Sequence, residues 1–174
     1  MATGNHVLVT GGAGFIGSHL VDRLVKLGHC VTVLDDLSTG KRENLNTSCR
    51  LLVGDIRDHE FVRQSVIGQE VVFHLGAFTS VAGSIEDPAI CLDINVNGTA
   101  NLLANASRSG VGRVVFSSTS AVYPDDPDIL CSESTPPEPK SPYAESKLQG
   151  ESLLQQYGQN QGLSWAALRY FNVF

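Results

Sequence analysis

Short apolar runs alternate with longer helical runs along the chain. The apolar runs are four or five residues long, as buried strands are, and occupy residues 7–10, 31–34, 50–53, 71–75, 113–117 and 165–169. Helices are predicted over residues 15–27, 88–106 and 142–157. Because strands and helices alternate, the pattern predicts an α/β protein, a doubly wound parallel sheet of about six strands with helices on both faces.

The first strand runs directly into a glycine motif. Gly11, Gly14 and Gly17 have the spacing GxxGxxG, and an amphipathic run begins at Phe15. In this context the first glycine permits a tight turn, the second lets a pyrophosphate approach the backbone, and the third lets the helix pack closely on the strand. The helix N-terminus adds free N–H groups and a partial positive charge. The stretch predicts a dinucleotide-binding Rossmann fold, against the simpler alternative of an ordinary glycine-rich turn.

An acidic pair, Asp35 and Asp36, ends the second predicted strand. Asp35 lies 18 residues beyond Gly17, about where a dinucleotide-binding fold needs an acid on the adenosine ribose. A carboxylate there accepts hydrogen bonds from both ribose hydroxyls and repels a 2′-phosphate, so the spacing favours NAD over NADP. Lys41 and Arg42 lie close enough in sequence to weaken this preference, and a solvated turn acid is the alternative.

Small residues follow the third and fourth predicted strands, as GDI at residues 54–56 and GA at residues 76–77. Ligands of open parallel sheets bind at the carboxyl ends of the strands, where small residues let a cofactor lie against the backbone. His74, in the fourth strand, is expected to pack within the sheet rather than to bind a ligand. Asn95, in an apolar part of the second helix, is expected to tie neighbouring backbone together, because a buried amide must be satisfied.

Tyr143 and Lys147 are four residues apart on a predicted helix and therefore share one face. A phenol has a pKa of about 10, whereas a catalytic base works best nearer 7. A neighbouring ammonium favours the phenolate, and a nicotinamide cation would add to this effect. Thr119, at the end of the fifth strand, can place a hydroxyl beside the phenol. The three residues predict a proton-abstracting site, against the alternative of an ordinary helix face.

The composition excludes several classes of protein. The chain has 174 residues, 42% of them hydrophobic and 17% charged, which suits one folded domain. A net charge of −6 gives no sign of a nucleic-acid partner, and no apolar run approaches the length of a membrane span. The four cysteines are scattered without metal-ligand spacing, so no metal is expected. Reduced thiols, and a first strand too early to leave room for a signal peptide, favour a cytoplasmic location.

Characteristic motifs are spread over the whole chain, namely TGGAGFIGSHL, VLDDLSTGKRENL, GDIRD, HLGAFTSV, NVNGT, FSSTSAVY, SPYAESKLQGE and LRYFNV. Together they resemble the extended short-chain dehydrogenase/reductase family. The closest resemblance is to its branch of NAD-dependent sugar-nucleotide epimerases and dehydratases, in particular those like UDP-glucose 4-epimerase. One position departs from the family, because Pro124 follows Tyr123 where the family usually has glycine, and this alters the start of the active-site loop.

The resemblance implies a role for each matching residue. Tyr143 would be the catalytic base, Lys147 would hold the nicotinamide ribose, and Thr119 would bridge the sugar hydroxyl and the base. Phe171 and Asn172 would face the nicotinamide and the substrate. The cofactor site would be formed by Gly11, Gly14, Phe15, Ile16, Gly17, Asp35, Asp36, Asp55, Ile56, Leu75, Gly76, Ala77, Asn95, Tyr143, Lys147 and Phe171.

The implied reaction is the redox-neutral 4-epimerisation of a nucleotide sugar, UDP-glucose and UDP-galactose or their N-acetyl forms, through a transient 4-keto sugar. A 4,6-dehydratase or a decarboxylase on the same scaffold is one alternative. In those relatives an acidic residue stands two positions after the catalytic threonine, where this chain has Ala121. An NAD-binding fragment without turnover is the other alternative.

The resemblance also bears on domain organisation and assembly. The family continues past LRYFNV into a last strand and a smaller sugar-nucleotide domain, so residues 1–174 are expected to be the NAD(P)-binding domain without that substrate domain. Such a chain is expected to bind NAD and not to turn over. In the family, the helices around residues 90–106 and 142–157 form the dimer interface, so a homodimer is expected.

Overall fold

Six parallel strands form the centre of the protein. The computed structural model describes residues 4–126, 128 and 130–174. The strands are β1 (His6–Thr10), β2 (Cys30–Asp35), β3 (Arg50–Val53), β4 (Val71–His74), β5 (Arg113–Thr119) and β6 (Ser164–Tyr170). They form one sheet in the order β3-β2-β1-β4-β5-β6, and every neighbouring pair is parallel. The predicted strands and the doubly wound sheet are confirmed.

Six α-helices connect these strands in the described part of the chain. They are α1 (Phe15–Lys26), α2 (His59–Val66), α3 (Val81–Glu86), α4 (Pro88–Leu92), α5 (Gly98–Arg108) and α6 (Pro142–Gln161). A π-helical stretch, Asp93–Asn97, joins α4 to α5, so the helix predicted over residues 88–106 is one continuous segment with a widened turn. None of the helices in the described ranges is long and apolar enough to cross a membrane.

Helices pack on both faces of the sheet, and side chains along a strand point alternately to one face and to the other. In β1, Leu8 packs on one face in a cluster with Leu102 of α5 and Leu154 of α6. Val9 points to the other face and packs in a cluster with Val21 of α1. Burying a large aliphatic side chain contributes roughly 1.5–3 kcal/mol, so these two clusters supply the main favourable term in folding.

Two short helices, α2 and α3, fall outside the predicted elements. They are eight and six residues long, so neither presents enough turns to be detected by apolar periodicity. Their starts do carry a local signal, because Asp58 and Ser80 accept hydrogen bonds from the main-chain N–H groups of Phe61 and Gly83.

The order of the strands reverses at β1. This strand lies between β2 and β4, so the chain moves outward from it in both directions. Thr10 at the end of β1 is the register partner of His74 at the end of β4. The carboxyl ends of these two strands therefore border the crevice at which open α/β sheets bind their ligands.

Candidate active site

A cavity of about 780 Å³ opens at the carboxyl ends of the strands, where their order reverses. Its volume lies within the range of small-molecule sites, about 300–1,000 Å³. Asn95 is the one predicted site residue that does not line it. The structure brings together Gly11, Gly14, Phe15, Ile16, Gly17, Asp35, Asp36, Asp55, Ile56, Leu75, Gly76, Ala77, Thr119, Tyr143, Lys147, Phe171 and Asn172.

The glycine turn after β1 is tightly packed at Gly11 and Gly17 and open at Gly14. Gly11 has a φ of +69°, and a Cβ there would lie 2.6 Å from the main-chain nitrogen of Gly76. A Cβ at Gly17 would lie 2.2 Å from the carbonyl oxygen of Gly11. At Gly14 that same oxygen would be the nearest atom, at 3.4 Å, and the residue borders the cavity. Gly14 is therefore where a phosphate can approach the main chain.

Helix α1 begins at the cavity wall. Ser18 donates its N–H to the carbonyl of Gly14 at 3.0 Å, which closes the first turn of the helix. The N–H groups of Phe15, Ile16 and Gly17 precede this bond, and an α-helix leaves such groups without a partner inside the helix. All three residues line the cavity. Together with the positive end of the helix dipole, their amides can bind an anionic group.

Asp35 is anchored beside the glycine turn. Its Oδ2 accepts the N–H of Ala13 and its Oδ1 accepts the N–H of Leu37, both at 2.9 Å. The residue is only 7% exposed, so its carboxylate is held at the cavity wall and is not a solvated turn acid. Lys41 and Arg42 are exposed and do not line the cavity, so the cavity wall beside the glycine turn carries Asp35 and neither of these cations.

Asp55, which follows β3, is oriented by an ion pair. Arg57 Nη2 lies 2.6 Å from Asp55 Oδ2, and Arg57 Nη1 lies 2.8 Å from Asp93 Oδ2. The hydrogen bonds from Arg57 lower the pKa of Asp55, so its carboxyl group is ionised at neutral pH. A second oriented carboxylate therefore lines the cavity on the side of β2 and β3.

Thr119, Tyr143 and Lys147 meet on the β5 side of the cavity. Thr119 is the last residue of β5, and its side chain lies near enough to Tyr143 to lower the pKa of the phenol. Tyr143 and Lys147 lie one turn apart near the start of α6, which Ser141 caps. Lys147 is 3% exposed, donates to the carbonyl of Ser117 at 3.0 Å, and has its Nζ 5.9 Å from the centre of the Tyr143 ring. This geometry can hold and move a proton beside the glycine turn.

Burial dominates the electrostatics of this group. It raises the pKa of Tyr143 above its ordinary value, and the hydrogen bond with Thr119 offsets that only partly. It also lowers the pKa of Lys147 to about 8. The expected lowering of the Tyr143 pKa is therefore not seen in this structure, because burial outweighs it. The Nζ of Lys147 faces the Ser117 carbonyl and lies 4.9 Å from the centre of the Phe116 ring.

Asn95 does not line the cavity and instead connects neighbouring segments of the chain. It is 2% exposed, its Oδ1 accepts the N–H of Phe78 at 2.7 Å, and its Nδ2 donates to the Phe78 carbonyl at 3.0 Å and to Ser146 Oγ at 2.9 Å. The expectation that Asn95 ties backbone segments together is confirmed. Its predicted place in the cofactor-facing surface is not, because the amide is engaged by the loop after β4 and by α6.

Phe171 belongs to an aromatic group at the rim of the cavity. It is 67% exposed and stacks on Tyr123, with the ring centres 6.3 Å apart. The guanidinium of Arg169 lies 4.7 Å from the centre of the Tyr123 ring and is held by Glu151 through hydrogen bonds of 2.9 and 2.7 Å. Pro124, which replaces the family's usual glycine, directly follows this packed tyrosine.

The cavity contains further residues that the sequence analysis does not identify. Most of them directly flank a predicted strand end, and that position is the signal that could have found them, because carboxyl ends of parallel strands meet at one edge. Two isoleucines from the helical segment after β4 have no such signal. The additional lining residues are Thr10, Leu34, Ser38, Thr39, Phe78, Thr79, Ser80, Ile90, Ile94, Ser117, Ser118, Tyr170 and Val173.

The fold and the cavity together define a dinucleotide-binding α/β protein, with a glycine turn and a Thr–Tyr–Lys group at the same end of a parallel sheet. The model of the NAD dependent epimerase/dehydratase family matches residues 7–174. The chain belongs to this family.

Similar proteins of known name and structure agree with this assignment. The UDP-glucose 4-epimerase of Lacticaseibacillus casei is 41% identical over 170 residues, which cover 96% of this chain and 51% of that protein. The UDP-glucose 4-epimerase of Thermus thermophilus, solved with NAD, is 45% identical with a TM-score of 0.93 over 97% of this chain and 56% of that one. A dTDP-glucose 4,6-dehydratase of Streptomyces venezuelae is 38% identical, with a TM-score of 0.89 over 94% and 55% of the two chains. The chain spans about half the length of the curated relatives that it matches.

Proposed function

We propose that this chain forms the cofactor-binding and proton-transferring part of an NAD-dependent sugar-nucleotide 4-epimerase. The observation that carries the proposal is that Thr119, Tyr143 and Lys147 meet the glycine turn at one cavity. The turn can bind a pyrophosphate, and the hydroxyl–phenol–ammonium group can transfer a proton beside it. The relatives named as UDP-glucose 4-epimerases support the same assignment.

The residues at the cavity fit NAD. Gly14 exposes the main chain to a pyrophosphate, and the amides at the start of α1 face the same space. Asp35, held rigidly at the end of β2, can accept hydrogen bonds from the ribose hydroxyls. When bound, NAD supplies the hydride acceptor and donor that 4-epimerisation through a transient 4-keto sugar requires.

The chain's own residues would carry out the proton transfer. Thr119 would hold the sugar C4 hydroxyl against the phenol, and Tyr143 would take its proton and later return it. Because burial raises the pKa of Tyr143, the phenolate needs positive charge close by before it can act near neutral pH. Lys147 keeps most of its charge at pH 7, since its pKa is about 8, and would hold the nicotinamide ribose at the same time.

The charges at the cavity favour epimerisation over elimination of water or CO₂. Elimination needs an acid beside the tyrosine, and the acids that line the cavity are Asp35, Asp36 and Asp55, all on the β2 and β3 side. Beside Thr119 the chain places Ala121, whose N–H donates to Thr119 Oγ1 at 3.2 Å. A methyl side chain at this position cannot act as an acid.

A nucleoside diphosphate sugar is the substrate class that we propose. Of the substrate contacts that the family resemblance implies, Asn172 lines the cavity together with Thr119 and Tyr143. The remaining contacts would come from the sugar-nucleotide domain that the family carries after LRYFNV. Orientation by such remote binding contributes roughly 7–11 kcal/mol to catalysis, so residues 1–174 alone should bind NAD without turnover.

We also propose that the protein is a cytoplasmic homodimer. The support for a dimer is the family resemblance, because the helical segments 88–108 and 142–161 correspond to the helices of the family's dimer interface. The support for a reducing compartment is that Cys30, Cys49 and Cys91 are not in disulfides.

Product analysis tests the proposed function. The full natural protein with NAD should interconvert UDP-glucose and UDP-galactose, or their N-acetyl forms, and NMR of the reaction mixture should show the C4 epimer alone. A 4-keto-6-deoxy sugar in the same spectra would identify a dehydratase instead. The decarboxylase alternative is tested with a UDP-hexuronic acid as substrate, from which CO₂ and a pentose nucleotide would identify that activity.

Cofactor preference is the second expected result. NADP should bind at least about fivefold more weakly than NAD, because two like charges 4 Å apart repel by about 1 kcal/mol even in bulk water. Isothermal titration of residues 1–174 measures both affinities. Asp35→Asn should narrow the difference, whereas Asp22→Asn, which removes a carboxylate outside the cavity, should leave it unchanged. Equal affinities of the unmodified chain for NAD and NADP would contradict the assignment of Asp35.

A further inference from the structure

His74 lies at the junction between the two halves of the sheet. It is the last residue of β4, it is 1% exposed, and it stands opposite Thr10 in the register of β1 and β4. His74 does not line the cavity, but Gly76, two residues further on, does. The expectation that it packs within the sheet is confirmed, yet both of its ring nitrogens are engaged in short hydrogen bonds.

The direction of these hydrogen bonds follows from the partners. Thr99 Oγ1 donates to the carbonyl of Asn95 at 2.6 Å, so it can only accept from His74 Nε2, which lies 2.8 Å away. The neutral ring then carries its hydrogen on Nε2, and Nδ1 accepts the hydroxyl hydrogen of Thr10 at 2.7 Å. Thr10 Oγ1 in turn accepts the N–H of Gly76 at 3.1 Å. The four bonds form one chain with a single direction.

The imidazole can serve as this bridge only while it is neutral, with one donor and one acceptor. Burial and the nearby Lys147 ammonium lower the pKa of His74 to about 3, so the ring stays neutral at physiological pH. A protonated ring would present two donors and would break the bond in which Thr10 is the donor.

The chain of bonds ends where two cavity loops touch. The glycine turn after β1 and the loop after β4 are in contact, since a Cβ on Gly11 would lie 2.6 Å from the nitrogen of Gly76. The hydroxyl of Thr10 joins the same two loops, and His74 fixes the direction in which that hydroxyl points. Thr99 then connects the pair of loops to the start of α5.

We propose that His74 is a positioning residue of the cofactor site. Through Thr10 it holds the Gly76 amide against the glycine turn, and through Thr99 it connects this arrangement to the start of α5. The two glycine loops that border the crevice thereby keep a fixed spacing and a fixed orientation. This inference rests on the proposed function, because it takes NAD as the ligand whose binding depends on the spacing of the two loops.

Thr99→Val is the sharpest test, because Thr99 is buried and does not line the cavity. Valine has nearly the same shape but leaves the Nε2 hydrogen of His74 without an acceptor, so that hydrogen should move to Nδ1. Titration of residues 1–174 should then show an NAD dissociation constant about tenfold higher, the effect of losing one buried hydrogen bond. Thr99→Ser, which keeps the hydroxyl, should restore both the ring hydrogen on Nε2 and the affinity.

Thr32→Val is the matched control. Thr32 is a buried threonine of β2 whose hydroxyl accepts a hydrogen bond from Gln69, outside the chain of bonds that contains His74. Proton-coupled ¹⁵N spectra of labelled histidine report which ring nitrogen carries the hydrogen. Amide spectra report whether the Gly11 and Gly76 resonances move. The Gly11 and Gly76 resonances should shift in Thr99→Val and should not shift in Thr32→Val.

The outcomes separate this inference from the proposed function. A purely structural role for His74 predicts that Thr99→Val lowers the unfolding midpoint while the folded protein keeps its NAD affinity, and this result would overturn the inference. Failure of the unmodified chain to bind NAD would instead contradict the proposed function. In that case the Gly11 and Gly76 amide shifts still decide whether His74 positions the two loops.

Discussion

Replacing Tyr143 with phenylalanine should reduce the kcat of epimerisation in the full natural protein by at least about 10²-fold, the lower end of what a general base contributes. The change removes only the phenolic oxygen, which lies near Thr119 and on the same helix face as Lys147. The ring would keep its position, so NAD affinity should change little. A coupled assay for the epimer and a separate NAD titration measure the two effects.

Tyr157→Phe is the control for this prediction. Tyr157 lies on the same helix, packs against the core cluster that contains Leu154, and does not line the cavity. It undergoes the same chemical change away from the site, and the variant should retain the activity of the unmodified protein. Near-normal kcat in Tyr143→Phe would show that another group takes the C4 proton.

The fold could be predicted from the sequence because the strands at the centre of the sheet carry short apolar runs whose side chains pack on both faces. Runs such as VLV in β1 and VVF in β4 are apolar, and they alternate with helices that have one apolar side. The short helices α2 and α3 were inaccessible to this reasoning because periodicity needs more turns than they have. The widened turn between α4 and α5 was inaccessible for a different reason. It is stabilised by contacts of Asn95 with Phe78 and Ser146, which come from other parts of the chain.

The site could be predicted as a set of residues but not in its electrostatics. Strand ends of a parallel sheet meet at one edge, so the residues after β1, β2, β3 and β4 had to meet the Tyr143 and Lys147 pair. The sequence does not show how deeply these two side chains are buried, and burial reverses the expected direction of the Tyr143 pKa. The two hydrogen-bond partners of His74, Thr10 and Thr99, come from distant segments, and no local pattern in the sequence connects them.

Gly17→Ala should destabilise the folded chain by about 1–3 kcal/mol, the usual cost of overpacking, and abolish measurable NAD binding. The sign is not obvious from the sequence, because alanine is favoured over glycine inside a helix by about 1 kcal/mol. Gly17 lies within α1, but a Cβ there would stand 2.2 Å from the carbonyl oxygen of Gly11 and 2.7 Å from Cα of Gly12. The atoms in the way are main chain, so either the helix or the glycine turn must move.

Variants at two further glycines distinguish a loss of stability from a loss of NAD binding. Gly14→Ala should change the free energy of unfolding by no more than about 1 kcal/mol, since its Cβ would meet only the Gly11 oxygen at 3.4 Å. Its methyl group would occupy the space through which the phosphate approaches the main chain, so NAD binding should weaken at least about tenfold. Gly112→Ala, with the Glu70 oxygen at 3.5 Å and no place in this cavity, should change neither quantity. Urea unfolding and NAD titration of the three variants give both numbers. If Gly14→Ala bound NAD as tightly as the unmodified chain, the pyrophosphate could not lie against this turn, and the cofactor would have to bind elsewhere in the cavity.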